Sequence, residues 1–225
     1  MAKPRKAKTE QANKHRQQIV PQRKPVYEFF KRVLDIGFAL VSLILLFVPF
    51  IIISVIIMID SPGASPIFVQ NRVGKNGKEF RFYKFRSMVP NAESMLEDLL
   101  ADNEMDGPAF KIANDPRITR FGRFLRRSCI DELPQILNVL KGDMSLVGPR
   151  PPLPREVAMY DTYQMQRLLV TPGLTCYWQV QPQRNSMSFD EWMQCDIRYI
   201  EERCFKTDAS IFLKTFGVVL GMDSK

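Results

Sequence analysis

The hydrophobic pattern divides the chain into one long apolar block and many short pieces. From Ile36 to Ile59 runs IGFALVSLILLFVPFIIISVIIMI, about 24 residues without a charge, which as helix gives about 36 Å against a hydrocarbon core of about 30 Å. The SPGASP sequence after Asp60 is turn material. Residues 66–88, PIFVQNRVGKNGKEFRFYKFRSM, predict two strands around the Asn76-Gly77 turn, the second alternating Phe80, Phe82 and Phe85 with Arg81, Lys84 and Arg86. NAESMLEDLLA predicts a helix capped by Asn91, with Met95, Leu96, Leu99 and Leu100 on its apolar face and a solvated acidic face running on to Asp106.

Beyond it, Arg117, Arg120, Arg123, Arg126 and Arg127 recur at helical spacing among Ile118, Phe121, Phe124 and Leu125. Such a basic helix either lies at an anionic interface or packs on the core with an arginine face outward, and at least one arginine is expected to turn inward toward phosphate. ELPQILNVLK predicts a helix ending at Gly142; Pro134 is tolerated only in a first turn, so the start falls near Asp131. The rest predicts a Pro172-Gly173 turn, a strand over 176–180, a loop at Arg184-Asn185 and a helix around Phe189 to Arg203 on which Asp196 and Tyr199 share a face. The last apolar segment, 209–221, packs on the core or lies at a membrane.

Two features bear on how the long block meets a membrane. Both flanks are basic, Lys31-Arg32 before it and Arg72, Lys75, Lys78, Arg81, Lys84 and Arg86 after it; the positive-inside tendency then wants both flanks on one face. Pro49 sits mid-block, where it removes a backbone hydrogen bond and divides the run into pieces too short to cross. A bent, re-entrant helix satisfies both features. An ordinary span remains the alternative, because proline is also tolerated there.

Charge sharpens the division. The formal charge is +8, and residues 1–32, with ten Lys/Arg and two Glu, hold all of it; the remainder balances. No nucleic-acid surface is implied by a neutral body, and the basic stretch reads as a flexible tail that holds anionic lipid and sets topology. The one histidine, His15, lies in that tail, which excludes histidine-based triads and metal sites. Cys129, Cys176, Cys195 and Cys204 form no C-x-x-C pair and, with no secretory signal pattern, read as reduced thiols, more simply buried small hydrophobes than a bridge. Neither common phosphate-cradling glycine loop occurs.

The densest chemistry lies between Asp115 and Pro154. Asp131 and Glu132 stand at the positive end of a predicted helix, which favours their ionised forms. Asp131 could simply cap that helix. Adjacent carboxylates also suit a divalent cation, an arginine-rich approach suits a phosphorylated substrate, and aspartate is a nucleophile toward phosphorus that needs no histidine. Gly148-Pro149-Arg150-Pro151-Pro152 fixes one arginine between prolines, as phosphate recognition would need; a plain structural loop is the alternative.

These residues, in this order, resemble a known family. KRVLDIGFAL, the Pro-broken apolar block, NRVGKNGKEFRFYKFRSM, SCIDELPQILNVLKGDMSLVGPRPPLP, TPGLTCYWQVQPQRN and a late D-x-x-YI followed by Thr207-Asp208 are similar to the bacterial sugar transferases, monotopic phosphoglycosyl transferases that begin glycan assembly on a polyprenyl phosphate. The resemblance spans about Lys31 to Gly221, and the chain looks like the minimal catalytic form.

It implies an α+β, helix-rich fold: a basic tail over 1–32, a re-entrant membrane helix over 33–59, and a small cytoplasmic α/β catalytic domain with interfacial amphipathic helices over 60–225, at the plasma membrane of the cell. It implies magnesium-dependent transfer of a phosphosugar from a UDP-sugar to undecaprenyl phosphate through a phospho-aspartyl intermediate on Asp131, with release of UMP, in exopolysaccharide or capsule synthesis. Glu132 would complete the dyad and help hold magnesium. Lys84, Arg86, Arg150, Arg184 and Asp208 match positions tied to donor binding or activity. A homodimer is left open, as is the identity of the sugar. One departure stands out: Thr171 and Cys176 replace the arginine and glycine of the family's usual R-P-G-[IL]-T-G. The rival reading is a membrane-tethered, non-catalytic scaffold in which Asp131 only caps a helix.

Overall fold

The computed structural model describes residues 19–104, 107–110, 112, 114–184, 186–219 and 221. Most of the predicted basic tail, His15 included, and Asn185 of the predicted loop lie outside them.

Helix α1 spans Pro25–Asp60 and continues unbroken through Pro49. It opens earlier than the apolar block, inside the stretch read as tail, because Pro25 occupies the first turn, where its missing N–H costs nothing. Strands β1 (Ile67–Val73) and β2 (Glu79–Phe85) form the expected antiparallel hairpin, in register Val73↔Glu79 and Ile67↔Phe85. Asn76 (φ 57°) and Gly77 (φ 78°) supply the left-handed backbone of its turn. Next come α2 (Arg120–Arg127), a 3-10 turn over Ile130–Gln135, and α3 (Ile136–Lys141), which stops at left-handed Gly142. Strand β3 (Ser145–Val147), the single turn α4 (Pro154–Val157), β4 (Gly173–Thr175), α5 (Phe189–Glu202) and α6 (Phe205–Val219) complete the chain. The chain is thus helix-rich α+β, with two small two-stranded sheets.

Four expectations about elements fail for physical reasons. Residues 91–96 form turns, followed by a 3-10 helix over Glu97–Asp102, where an α-helix was expected; Glu93 and Glu97 would stand one turn apart as like charges with no basic neighbour to offset them. The strand lies at Gly173–Thr175 instead of 176–180. Pro172-Gly173 enters the ladder instead of turning, with Ser145 donating to the Pro172 carbonyl at 2.8 Å. A Cβ on Gly173 would lie 2.0 Å from the Gly148 nitrogen, so this parallel pairing requires glycine on both sides. The dyad opens a 3-10 turn and not an α-helix. All four cysteines are free, as expected, but only Cys176 is buried and Cys129 is exposed.

One face of α1 is fastened to the body along the helix. Lys24 donates to the Arg203 carbonyl (2.8 Å), Lys31 pairs with Asp208 (2.5 Å), and Arg32 donates to the carbonyls of Val139 and Leu140 at the end of α3. Leu146 N–H donates to Asp35 (3.0 Å), and Ala39 is buried among Phe80, Phe82, Ile136 and Val139. Past Pro49, Phe50 meets Phe85 edge-on at 5.2 Å, Ile57 packs on Phe85 and Leu125, and Arg86 donates to the Ser61 carbonyl. Between these fastenings Ile44, Leu45, Phe47 and Val48 stand exposed. A third cluster, built on Phe189, Met193, Ile197 and Ile200 of α5, packs on Val147, Val170 and Ile211; full burial of each such side chain contributes about 2 kcal/mol.

Candidate active site

Asn138 in α3, fully buried, sets the site's frame. Its amide nitrogen donates to the Arg81 carbonyl (2.6 Å) and its oxygen accepts from Tyr83 N–H (3.2 Å), so one side chain docks α3 on β2. That docking brings the preceding 3-10 turn beside Lys84, which shares a strand face with Phe80 and Phe82. The Lys84 ammonium lies 5.4 Å from the Phe82 ring centroid, and the Arg72 guanidinium 5.3 Å from the same ring.

Glu132 takes two cations on one oxygen: Lys84 Nζ and Arg150 Nη2 each donate to Oε1 at 2.9 Å. Burial alone would raise its carboxyl, but Arg150 and Lys84 outweigh burial and hold Glu132 well below the usual carboxylate range. Asp131 is treated oppositely. Burial, joined by the neighbouring Glu132 charge, raises its carboxyl despite Lys84, Arg126 and Arg150. The expectation that the helix end favours ionisation of both is therefore corrected for Asp131: the short 3-10 turn sinks it away from water. Asp131 makes no hydrogen bond or ion pair among the described residues. The turn is entered by Cys129, left-handed at φ 56° and without a side-chain cap, so Asp131 is not a cap.

Asp131 borders a cavity of about 940 Å³. Its wall carries Arg72, Lys84, Arg86, Arg117, Arg126, Arg150, Arg155 and Arg167 against the acids Glu93, Asp131 and Glu156, a balance suited to a polyanion. Arg86 is buried; Nη2 holds the Ser61 carbonyl just past the end of α1, while Nε and Nη1 have no hydrogen-bond partner among the described residues. In α2, Arg126 is exposed like Arg120, Arg123 and Arg127, but its Nε donates to Ser87 Oγ (2.9 Å) and it borders the cavity. Arg117 turns inward onto Asp115 (2.6 Å). Gly122 lets α2 approach: a Cβ there would lie 2.0 Å from the Ser87 carbonyl oxygen.

The Pro149–Pro152 loop has few N–H groups of its own, yet each carbonyl is held by a different donor. Gly173 N–H binds Pro149 O (2.9 Å), Arg167 Nη2 binds Arg150 O (2.8 Å), Arg72 Nη1 binds Pro151 O (3.0 Å) and Val73 N–H binds Pro152 O (2.9 Å).

The structure thus brings together Asp131, Glu132, Lys84, Arg86 and Arg150. Arg184 does not line the cavity, but its charge reaches Cys129, beside the dyad. Asp208 stands apart: it accepts from Tyr27 (2.7 Å), Lys31 and Tyr199 (2.9 Å) where α6 meets α1. Sequence reasoning missed Arg72 and Arg167 as wall residues, and also the stacked Trp178–Trp192 pair (4.3 Å) on the same wall. Local pattern carries no signal for Arg167, a lone charge in QMQRLLV.

A family model described as bacterial sugar transferase matches residues 26–222. The chain belongs to the bacterial sugar transferase family. It is 48% identical over 190 residues to the galactosyl transferase CpsE of Streptococcus agalactiae, covering 84% of this chain and 42% of that protein. It is 41% identical over 199 residues to the undecaprenyl-phosphate galactose phosphotransferase of Salmonella typhimurium, covering 87% of this chain and 41% of the relative. The exopolysaccharide production protein ExoY of Rhizobium meliloti is 36% identical over 200 residues, covering 87% of this chain and 88% of ExoY. The chain therefore spans about two fifths of the first two relatives and most of the third.

Proposed function

We propose that this chain transfers a phosphosugar from a UDP-sugar to a polyprenyl phosphate, undecaprenyl phosphate by analogy with its relatives, in exopolysaccharide or capsule synthesis. The observation that carries the reading is the unpaired, buried Asp131 on an arginine-lined cavity, beside a Glu132 already neutralised by Lys84 and Arg150.

In the first step an Asp131 oxygen attacks the β-phosphorus of the donor. The bond from that phosphorus to the bridging oxygen breaks, and its electron pair leaves on UMP. In the second step a phosphate oxygen of the lipid attacks the same phosphorus, the bond to Asp131 breaks, and the carboxylate returns as polyprenyl diphosphate sugar departs. No proton need move, which suits a site without histidine. A buried carboxylate is poorly solvated and so a stronger nucleophile. Lys84, Arg86, Arg126 and Arg150 neutralise the phosphates as charge shifts onto the leaving group. Arg184 and Asp208 act from outside the cavity, Asp208 by clasping α1.

Magnesium belongs to the same reading. Among the described residues no cluster of three or more metal-ligating side chains exists, but Mg²⁺ characteristically uses one or two carboxylates together with substrate phosphates. Asp131 and the oxygen of Glu132 that Lys84 and Arg150 leave unbonded fit that donor set. When bound, the ion would neutralise phosphate charge at the reacting phosphorus.

The block Ile36–Ile59 enters the membrane as a re-entrant helix, with the body on the cytoplasmic face of the plasma membrane. Its support is mechanical: residues before and after the exposed stretch Ile44–Val48 are bonded to one and the same body, whereas a span would carry its ends to opposite sides.

With UDP-sugars, polyprenyl phosphate and magnesium, the expected nucleotide product is UMP; release of UDP would mean ordinary glycosyl transfer and overturn the mechanism. Asp131→Asn is expected to abolish both turnover and trapping of a phosphosugar on the protein. With the four native cysteines replaced by serine or alanine, single cysteines at Arg23 and Asp161 should label from the same side of sealed vesicles.

A further inference from the structure

We propose that Asp196 and Arg167 are positioning residues for the transfer step, holding the backbone of Arg150 so that its guanidinium meets Glu132. The proposal rests on the reading of the dyad given above. Asp196 in α5 is wholly buried, and among the described residues its one partner is Arg167, an ion pair at 2.7 Å. Arg167, itself 6% exposed, hydrogen-bonds the Tyr160 hydroxyl (2.8 Å) and the Arg150 carbonyl (2.8 Å), and its Nη2 also stands at ion-pair distance from Asp196, a contact outside hydrogen-bond geometry.

A buried ion pair is a poor stabiliser, because desolvation consumes most of its attraction; an apolar pair of equal volume serves a core as well. The position of this one explains its use. Of the four carbonyl clamps on the Pro149–Pro152 loop, two come from backbone N–H groups and one from Arg72, which β1 carries. The clamp on Arg150 itself is the only one made by a side chain whose counterion lies on a distant helix. Pro149 and Pro151 fix the backbone on either side, so the carbonyl direction of Arg150 decides where its side chain leaves the loop. The path Asp196, Arg167, Arg150, Glu132 joins α5 to the dyad through one ion pair of 2.7 Å and two hydrogen bonds of 2.8 and 2.9 Å. A planar guanidinium can hold the Tyr160 hydroxyl and the Arg150 carbonyl on two nitrogens while its charge faces Asp196; an ammonium cannot hold this fork.

The test is a double-mutant cycle on the full chain in lipid nanodiscs, using whichever UDP-sugar supports UMP release by the wild type. If none does, the proposed function fails before the cycle begins. Asp196→Asn and Arg167→Lys are each measured in the wild-type background and in Arg150→Lys, which keeps the charge and leaves residual turnover. If the effect runs through Arg150, each lowers kcat/KM by about tenfold in the wild type and by less than about threefold in Arg150→Lys, a coupling of ordinary size for residues in one network. Equal fold-losses in both backgrounds would make the pair merely structural and overturn the proposal. If Asp196→Asn does not fold, Arg167→Lys decides, because it preserves the buried charge balance while losing the fork.

Discussion

Replacing Glu132 by glutamine removes the one counterion that Lys84 and Arg150 share. Both bonds are 2.9 Å long, and the three side chains are 18–27% exposed, so solvent screens them only in part. Breaking a buried pair costs about 3–5 kcal/mol; with this exposure, and a glutamine oxygen still able to accept one bond, about 3 kcal/mol is expected. For a chain of this size that is a fall of about 6–12 °C in melting midpoint. The sign of the pH dependence follows from the depressed carboxyl of Glu132. An acid held lower in the folded state than its unfolded value of about 4.3 stabilises fully above that value and loses the contribution as pH falls toward the folded one. The gap between wild type and Glu132→Gln should therefore be full at neutral pH and should shrink once the pH drops below about 4.3. Thermal melts of both proteins in detergent at pH 7 and near pH 3.5 measure it. A gap under about 2 °C at pH 7, or one that widens on acidification, would refute the assignment of Glu132 as the ionised hub of the site.

Gly122→Ala drives a Cβ to 2.0 Å from the Ser87 carbonyl oxygen and should cost about 2–3 kcal/mol by overpacking, with Arg126 displaced from the cavity; an unchanged melting midpoint would contradict the close approach of α2. Asp131→Asn should raise the midpoint near neutral pH by a few degrees, because burial lifts the native carboxyl and its ionised form opposes folding; a fall would mean that a native partner stabilises that carboxylate. Asp208→Asn takes away the charge that holds Lys31 and weakens the bonds from Tyr27 and Tyr199, so trypsin should cut after Lys31 or Arg32 faster than in the wild type while the hairpin stays protected; unchanged digestion would show that α1 does not depend on this clasp.

The elements legible in the sequence are those whose signal is local. The 24-residue apolar block, the hairpin around Asn76-Gly77, the α5 helix with its Ser188 and Glu191 capping box, and the contiguous dyad all announce themselves within a few residues. Relations made by folding are hidden. The strand at Gly173–Thr175 depends on two backbones touching at Gly148 and Gly173, and nothing in a Pro-Gly pair distinguishes that from a turn. Asp131 and Glu132 look equivalent side by side; only the cations gathered on one of them, from β2 and from the Pro149–Pro152 loop, drive their ionisation apart. Arg167 and Asp196 are separated by most of a strand, a loop and a helix, and only their burial together gives either a role. Asp208, matched by resemblance to a position tied to donor binding or activity, lies in contact with Tyr27 and Lys31 of α1 and with Tyr199, a juxtaposition no local pattern announces.

The double fastening of α1 also fixes a height. On the re-entrant reading, how deep the exposed residues Ile44, Leu45, Phe47 and Val48 sit in the bilayer sets how far the cavity, lined in part by Ala64, Ser65, Ile67 and Phe68 just past the helix, stands from the headgroups. A lipid-borne phosphate lies at one level, so an enzyme anchored at that level finds its acceptor by searching a plane and not a volume. Bilayer thickness then becomes a variable of catalysis: a thicker or thinner membrane would lift or lower the cavity relative to the phosphates without altering a single bond inside the site.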